Sequence, residues 1–97
     1  MRVIAKRTLR EFWERFPDAV GALKSWHAEA VAATWRNPAE IKARHGSASI
    51  LRDDRVCFNI CGNKYRLVVK ISYKNGIVLV RFVGTHEEYD RTDVEVV

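Results

Sequence analysis

The sequence predicts an α+β domain in which helices come first and an antiparallel sheet follows. Three observations carry that expectation. Apolar residues recur at helical spacing up to about Arg44 and at strand spacing after Ser49. Two Gly/Asn pairs, Gly62-Asn63 and Asn75-Gly76, separate alternating runs in the second half, as hairpin turns do. The chain has 97 residues, which suits a single domain spanning residues 1–97, because smaller pieces would not bury a core.

Taken in order, Arg2-Val3-Ile4-Ala5 is a short apolar run that predicts a first strand. Leu9, Phe12, Trp13 and Phe16 then fall on one side of a helix, with Arg10, Glu11, Glu14 and Arg15 on the other. Thr8 is expected to cap it, with Glu11 completing a capping box, and Pro17 to stop it. A second helix is expected from about Asp18 to Arg36, with Val20, Leu23, Trp26, Ala30, Val31, Ala33 and Trp35 as its apolar positions. The tryptophans read as packing between helix and sheet rather than as a platform for stacking bases. His27 reads as a solvated helix residue. Asn37-Pro38-Ala39-Glu40 pairs an Asn cap with Pro at the first position, so a short helix runs to about Arg44 and Gly46 ends it. Three strands follow, around Val56–Ile60, Tyr65–Tyr73 and Ile77–Val83.

The turns set a register. A two-residue Asn75-Gly76 turn pairs Lys74 with Ile77, and hence Tyr73 with Val78, Ile71 with Val80 and Val69 with Phe82. Gly62-Asn63 likewise places Ile60 against Tyr65, Phe58 against Leu67 and Val56 against Val69. All these pairs are apolar and share one face, the expected core. The other face then carries Arg55 opposite Lys70, Lys70 opposite Arg81, and Arg66 between Asn59 and Thr85. Like charges directly opposite destabilise a sheet by up to about 1 kcal/mol per pair. A row of Arg55, Lys70 and Arg81 therefore suggests a polyanion partner, unless the long side chains simply splay into water. Arg66 is the most telling member, since Arg grips a phosphate through two parallel hydrogen bonds and keeps its charge at any relevant pH.

Composition agrees with an ordered domain: 47% of residues are hydrophobic and 30% charged. No apolar run approaches the roughly 18 residues of a membrane helix. The basic start lacks the apolar stretch of a secretory signal, so a cytoplasmic location without membrane attachment is expected. Cys57 and Cys61, if on one strand, lie roughly 13 Å apart. A disulfide needs Cα atoms within about 7 Å, so free thiols are expected. The three His are scattered without metal-ligand spacing, so neither a metal nor another cofactor is expected. Net charge is +4 over residues 1–48, +5 over 49–83 and −4 over 84–97. Such a basic body either meets polyanions or is merely a solubilising surface.

Gly62-Asn63-Lys64-Tyr65-Arg66-Leu67-Val68, followed by Phe82-Val83-Gly84-Thr85-His86-Glu87-Glu88-Tyr89-Asp90, resembles the HigB group of bacterial toxins among the RelE-like mRNA interferases. Arg7-Thr8-Leu9-Arg10-Glu11-Phe12 and Trp35-Arg36-Asn37-Pro38 extend the likeness to the whole chain. The resemblance implies N-terminal helices packed on one face of a small, twisted, mainly antiparallel sheet. It also implies an endoribonuclease that cuts mRNA on the ribosome, and a neutralising helix-turn-helix antitoxin of the HigA kind, bound to the toxin as a hetero-oligomer.

RNA cleavage by 2′-OH attack needs charge stabilisation at the phosphate and two proton transfers. Arg66 is the candidate for holding the phosphate, with Lys64 and Lys70 adding charge and Arg55 and Arg81 extending the RNA-binding face. Asn63 is a candidate contact to RNA backbone or base. His86, an imidazole, is a candidate general acid or base, and Tyr89 a candidate to orient the nucleophile, stack on a base or take part in proton transfer. Asp90 is a candidate to position His86 or Arg66. Thr85 and Glu88 also form a capping-box pattern, which would start a short helix that aims His86 and Tyr89 at the face. Two other readings are a non-catalytic RNA- or ribosome-binding module on the same basic face, and a related toxin scaffold aimed at another target such as a topoisomerase.

Overall fold

The computed structural model describes residues 1–97. In chain order the elements are β1 (Arg2–Ile4), α1 (Lys6–Arg15), a 3-10 turn (Pro17–Ala19), α2 (Val20–Ala32), α3 (Pro38–Arg44), β2 (Ser49–Ile50), β3 (Arg55–Ile60), β4 (Tyr65–Ser72), β5 (Ile77–Thr85) and α4 (His86–Asp90). The five strands form one sheet in the order β1-β5-β4-β3-β2. Only β1 against β5 is parallel. The expected α+β architecture is present, with the main core between the first helices and one sheet face.

That core joins Leu9, Phe12, Leu23, Trp26, Trp35 and Ile41 to Val56, Phe58, Leu67, Val69, Ile71 and Val78. Trp26 meets Phe58 edge-on at 5.5 Å between ring centroids, and Trp35 stacks on the same ring at 6.1 Å. Both tryptophans are therefore core residues, as expected. The helix ends differ from expectation. Helix α1 starts two residues before Thr8, with Ala5 as a cap that makes no side-chain hydrogen bond. Glu11 instead accepts from Arg7 Nε at 2.8 Å, one turn away on the exposed side. Helix α2 stops at Ala32, and Ala33 is extended with ψ 157°. Leaving the helix there lets Trp35 bury its ring, and Pro38 disfavours helical backbone in the residue before it. Asn37 does cap α3, its Oδ1 accepting from Glu40 N–H at 3.0 Å.

The β3–β4 register is the expected one, from Ile60 opposite Tyr65 to Arg55 opposite Lys70. The β4–β5 register is not. Ser72 pairs with Ile77, so Tyr73–Gly76 form a four-residue loop. The Ser72 hydroxyl holds it by accepting from Asn75 N–H at 3.4 Å and Asn75 Nδ2 at 3.0 Å. Farther along, a β-bulge sits in β5: Val69 faces Val80, but Val68 faces Phe82, leaving Arg81 as the extra residue. The four-residue loop already places Lys70 opposite Leu79, not Arg81, and the three-cation row shrinks to Arg55 and Lys70. Beyond the bulge the faces exchange. Val83 joins the core, Phe82 leaves it, and Gly84, not Thr85, stands opposite Arg66. The unbroken apolar run on both sides of Arg81 carries no alternation, so nothing in its pattern fixed this phase.

The second sheet face is not fully open either. Cys57, Val68 and Val94 form a smaller cluster there with Leu51, Phe82, Tyr89 and Val97. The acidic C-terminal segment folds over one end of that face. Arg55 is only 7% exposed. Its Nε and Nη2 donate to the Val97 carbonyl at 3.1 and 2.8 Å.

The 3-10 turn and the β3–β4 turn are joined through Asp18. Its carboxylate accepts from Tyr65 Oη at 2.6 Å and from Lys64 Nζ. Its carbonyl accepts from Cys61 Sγ at 3.2 Å. The Lys64 ammonium, then the Tyr65 hydroxyl, hold the Asp18 carboxyl below the usual carboxylate value. Because the folded pKa lies below the unfolded one, this stabilisation is complete above the ordinary carboxylate pKa and vanishes as pH falls through the folded value. Asp18→Asn is therefore expected to lower the urea midpoint at pH 7 and to narrow the gap between the pH 7 and pH 3 midpoints. An equal loss at both pH values would show that the charge of Asp18 does not hold the turn.

Candidate nucleic-acid interface

Strand β4 sets Arg66 on the sheet face away from the helical core. Its cross-strand neighbours are Asn59 on β3 and Gly84 on β5. Arg66 Nη1 donates to Asn59 Oδ1, and to Asn63 Oδ1 at 2.7 Å. The guanidinium carbon lies 5.6 Å from the centroid of the Tyr89 ring, a cation–π distance. Arg66 takes part in none of the ion pairs of the chain. Its hydrogen bonds within the protein all leave from Nη1, so Nε and Nη2 remain as free donors. The site thus offers an anion an un-neutralised charge and a two-donor edge.

Helix α4 frames this cation. Thr85 Oγ1 accepts from Glu88 N–H at 3.1 Å, and Glu88 Oε1 accepts from Thr85 N–H at 2.9 Å, the capping box expected from the sequence. The hydrogen bond from the Thr85 backbone holds the Glu88 carboxyl below its ordinary value. The His86 amide donates to the Lys64 carbonyl at 3.3 Å, which ties the helix start to the β3–β4 turn. Residues 86 and 90 share a helix side, and His86 Nδ1 lies 3.1 Å from Asp90 Oδ2. Both side chains are about half exposed. Tyr89 leans over Phe82, with ring centroids 6.4 Å apart, and packs on the Cys57/Val68 cluster. Burial, then the neighbouring Cys57 thiol, push the Tyr89 phenol above its ordinary value, against a smaller pull from Arg66. The phenol is therefore protonated at neutral pH and acts as a donor. Burial likewise pushes the Cys57 thiol up, which makes it an inert neighbour rather than a nucleophile.

The structure therefore gathers Arg66, Asn63, His86, Tyr89 and Asp90 around the β3–β4 turn and α4. It treats the remaining cations differently. Lys64 is ion-paired to Asp18, which raises its pKa and takes up its charge. Arg55 donates to the Val97 carbonyl and lies 4.0 Å from Asp53 Oδ2. Lys70 is unpaired, four residues and about 13 Å along β4 from Arg66. Arg81 stands exposed on the bulge, without a partner. Asn59 and Gly84 were not candidates from the sequence. Asn59 carries no charge to draw notice, although the β3–β4 register already set it beside Arg66. Gly84 offered one signal, a glycine inside a strand, which often marks a close approach.

Space, not backbone angle, demands that glycine. A Cβ at Gly84 would lie 2.6 Å from Phe82 Cζ and 3.2 Å from Glu88 Cβ. Gly84→Ala is expected to displace the Phe82 ring that supports Tyr89 and to cost about 1–3 kcal/mol in urea denaturation, as overpacking does. An unchanged midpoint would mean that the ring swings aside freely.

Compared with known families, residues 19–92 match the HigB toxin family, described as the RelE-like toxic component of a toxin–antitoxin system. Among curated proteins, the chain is similar to the mRNA interferase toxin HigB of Escherichia coli strain K12. It is equally similar to the mRNA interferases HigB of Escherichia coli O157:H7 and Shigella flexneri. Each is 26% identical over 92 residues, covering 93% of this chain and 88% of the relative.

Proposed function

The chain belongs to the HigB family of RelE-like toxins, the toxic components of toxin–antitoxin systems, and from that premise we propose that it is a ribosome-dependent endoribonuclease acting on mRNA. As such a toxin it has an antitoxin as partner. We take that antitoxin to be a helix-turn-helix protein of the HigA kind, joined to the toxin in a hetero-oligomer in the cytoplasm. No helix of the chain is long and apolar enough to cross a membrane. The curated relatives are named mRNA interferases, which supports the RNA substrate.

The observation that carries the reading is Arg66: an un-neutralised guanidinium with a free two-donor edge, flanked by α4. The 2′-oxygen of one nucleotide attacks the adjacent phosphorus, the P–O5′ bond breaks, and the products are a 2′,3′-cyclic phosphate and a 5′-hydroxyl. Arg66 binds the non-bridging oxygens and stabilises the charge that grows on them, usually the largest catalytic contribution. His86 takes the proton from the 2′-hydroxyl. Asp90 beside Nδ1 leaves Nε2 as the ring nitrogen for that task. Tyr89 gives its phenolic proton to the leaving 5′-oxygen, and water restores both groups. What supports this division is the place of Tyr89, whose ring lies 5.6 Å from the Arg66 guanidinium and whose phenol, like any phenol at neutral pH, carries a proton. Asn63 orients Arg66 and is close enough to the turn surface to meet the RNA backbone as well, while Lys70 and Arg81 extend the positive field along the strand path.

Purified protein added to translating ribosomes with a defined mRNA is expected to produce new 5′ ends within codons, and none on free mRNA. Arg66→Ala should lower the cleavage rate by about 10²–10³-fold. His86→Ala should lower it by about 10²–10⁴-fold. Salt-sensitive RNA binding without any cuts, retained by His86→Ala, would instead identify a binding module.

A further inference from the structure

An arginine side chain has four rotatable bonds, so a useful Arg needs something to aim it. Arg66 is aimed through one nitrogen. Both acceptors of Nη1 are side-chain amide oxygens, Asn63 Oδ1 from the turn and Asn59 Oδ1 from β3. Two bonds to one nitrogen of a planar group fix the plane and leave the Nε/Nη2 edge facing away. The Asn59 amide is itself held, because its Nδ2 donates to the Ser47 carbonyl at 3.4 Å. That bond settles which end of the amide points at Arg66. Both acceptors are also neutral. A carboxylate in either place would orient the guanidinium equally well and cancel its charge.

We propose that Asn59 is a positioning residue for the phosphate site, aiming the free Nε/Nη2 edge of Arg66 while leaving its charge intact. This deepens the proposed function, since it rests on Arg66 being the group that takes the phosphate. It also separates two jobs, orientation and charge, that two substitutions test one at a time. Asn59→Ala removes the orientation and keeps the charge free. Asn59→Asp keeps an oxygen in place and neutralises the cation.

Cleavage on ribosomes and binding of an uncleavable single-stranded RNA with 2′-deoxy residues would be measured for both variants and for Arg66→Ala. Urea midpoints would be measured alongside. Asn59→Ala is expected to lower kcat by up to about 10²-fold, as misplacement of a catalytic group does, with KM changed by less than about 3-fold. Its salt slope should match the unaltered protein. Asn59→Asp is expected to reduce the salt slope of binding by about one phosphate contact, as Arg66→Ala does. An unchanged salt slope in Asn59→Asp overturns the proposal, as does a loss in Asn59→Ala that appears in KM and the urea midpoint rather than in kcat. If the unaltered protein cuts no RNA, the proposed function fails. The binding arm then decides the role of Asn59 by itself, by whether Asn59→Asp and Arg66→Ala lose the same slope.

Discussion

One extra residue in β5 decides which side chains reach each face of the sheet. Before the bulge at Arg81, strand β5 turns Val78 and Val80 into the core. After it, Val83 takes that role and Phe82 crosses to the opposite face. Because side chains alternate along a strand, shifting the phase by one moves every later residue to the other side. Without the bulge, Phe82 would not support Tyr89. Val83 rather than Gly84 would stand opposite Arg66. The capped start of α4 would also enter from the wrong face. The candidate site is thus a consequence of a packing irregularity several residues away.

The electrostatics of the site depend less on how many cations the chain has than on which are left unspent. A basic composition suggested a broad positive face. Folding uses Lys64 on Asp18 and Arg55 on the C-terminal carbonyl, and lays the acidic segment after α4 across part of that face. The Lys64–Asp18 pair is solvent-exposed and by itself adds little to stability. Its larger effect here is positional, because Asp18 holds the turn that carries Asn63. Arg66 escapes neutralisation because its partners are amides. A carboxylate at hydrogen-bond distance would weaken its attraction for a phosphate by about the same few kcal/mol that attraction supplies at an effective dielectric of 20.

Helix α4 shows how little intrinsic stability an element needs when its neighbours hold it. Its five residues, His86–Asp90, are too few to persist alone, since an isolated helix of that length has barely passed nucleation. Three outside supports keep it in place: the Thr85/Glu88 box, the amide bond from His86 to the Lys64 carbonyl, and the packing of Tyr89 on Phe82. The same burial that anchors Tyr89 pushes its phenol above the ordinary value.

Much of this was legible in the residues. The change of period after Ser49, the Asn37-Pro38 helix start, the β3–β4 register and the Thr85 box all follow from local spacing. Neighbours in sequence settle those features, and the chain need not know its fold to form them. The helix ends at Ala32 and Lys6, the four-residue loop at Tyr73–Gly76 and the bulge were not legible, because burial of Trp35 and the phase of an unbroken apolar run are decided by what packs against them. Nor were the partners of the cations. Asp18 and Lys64 are 46 residues apart, and Arg55 and Val97 are 42 apart. The sequence by itself determined the fold class and the residues able to do chemistry. Only the tertiary structure decided which cations stay free, which amides aim Arg66 and which face each β5 residue meets, because those outcomes depend on contacts between segments that local periodicity does not encode.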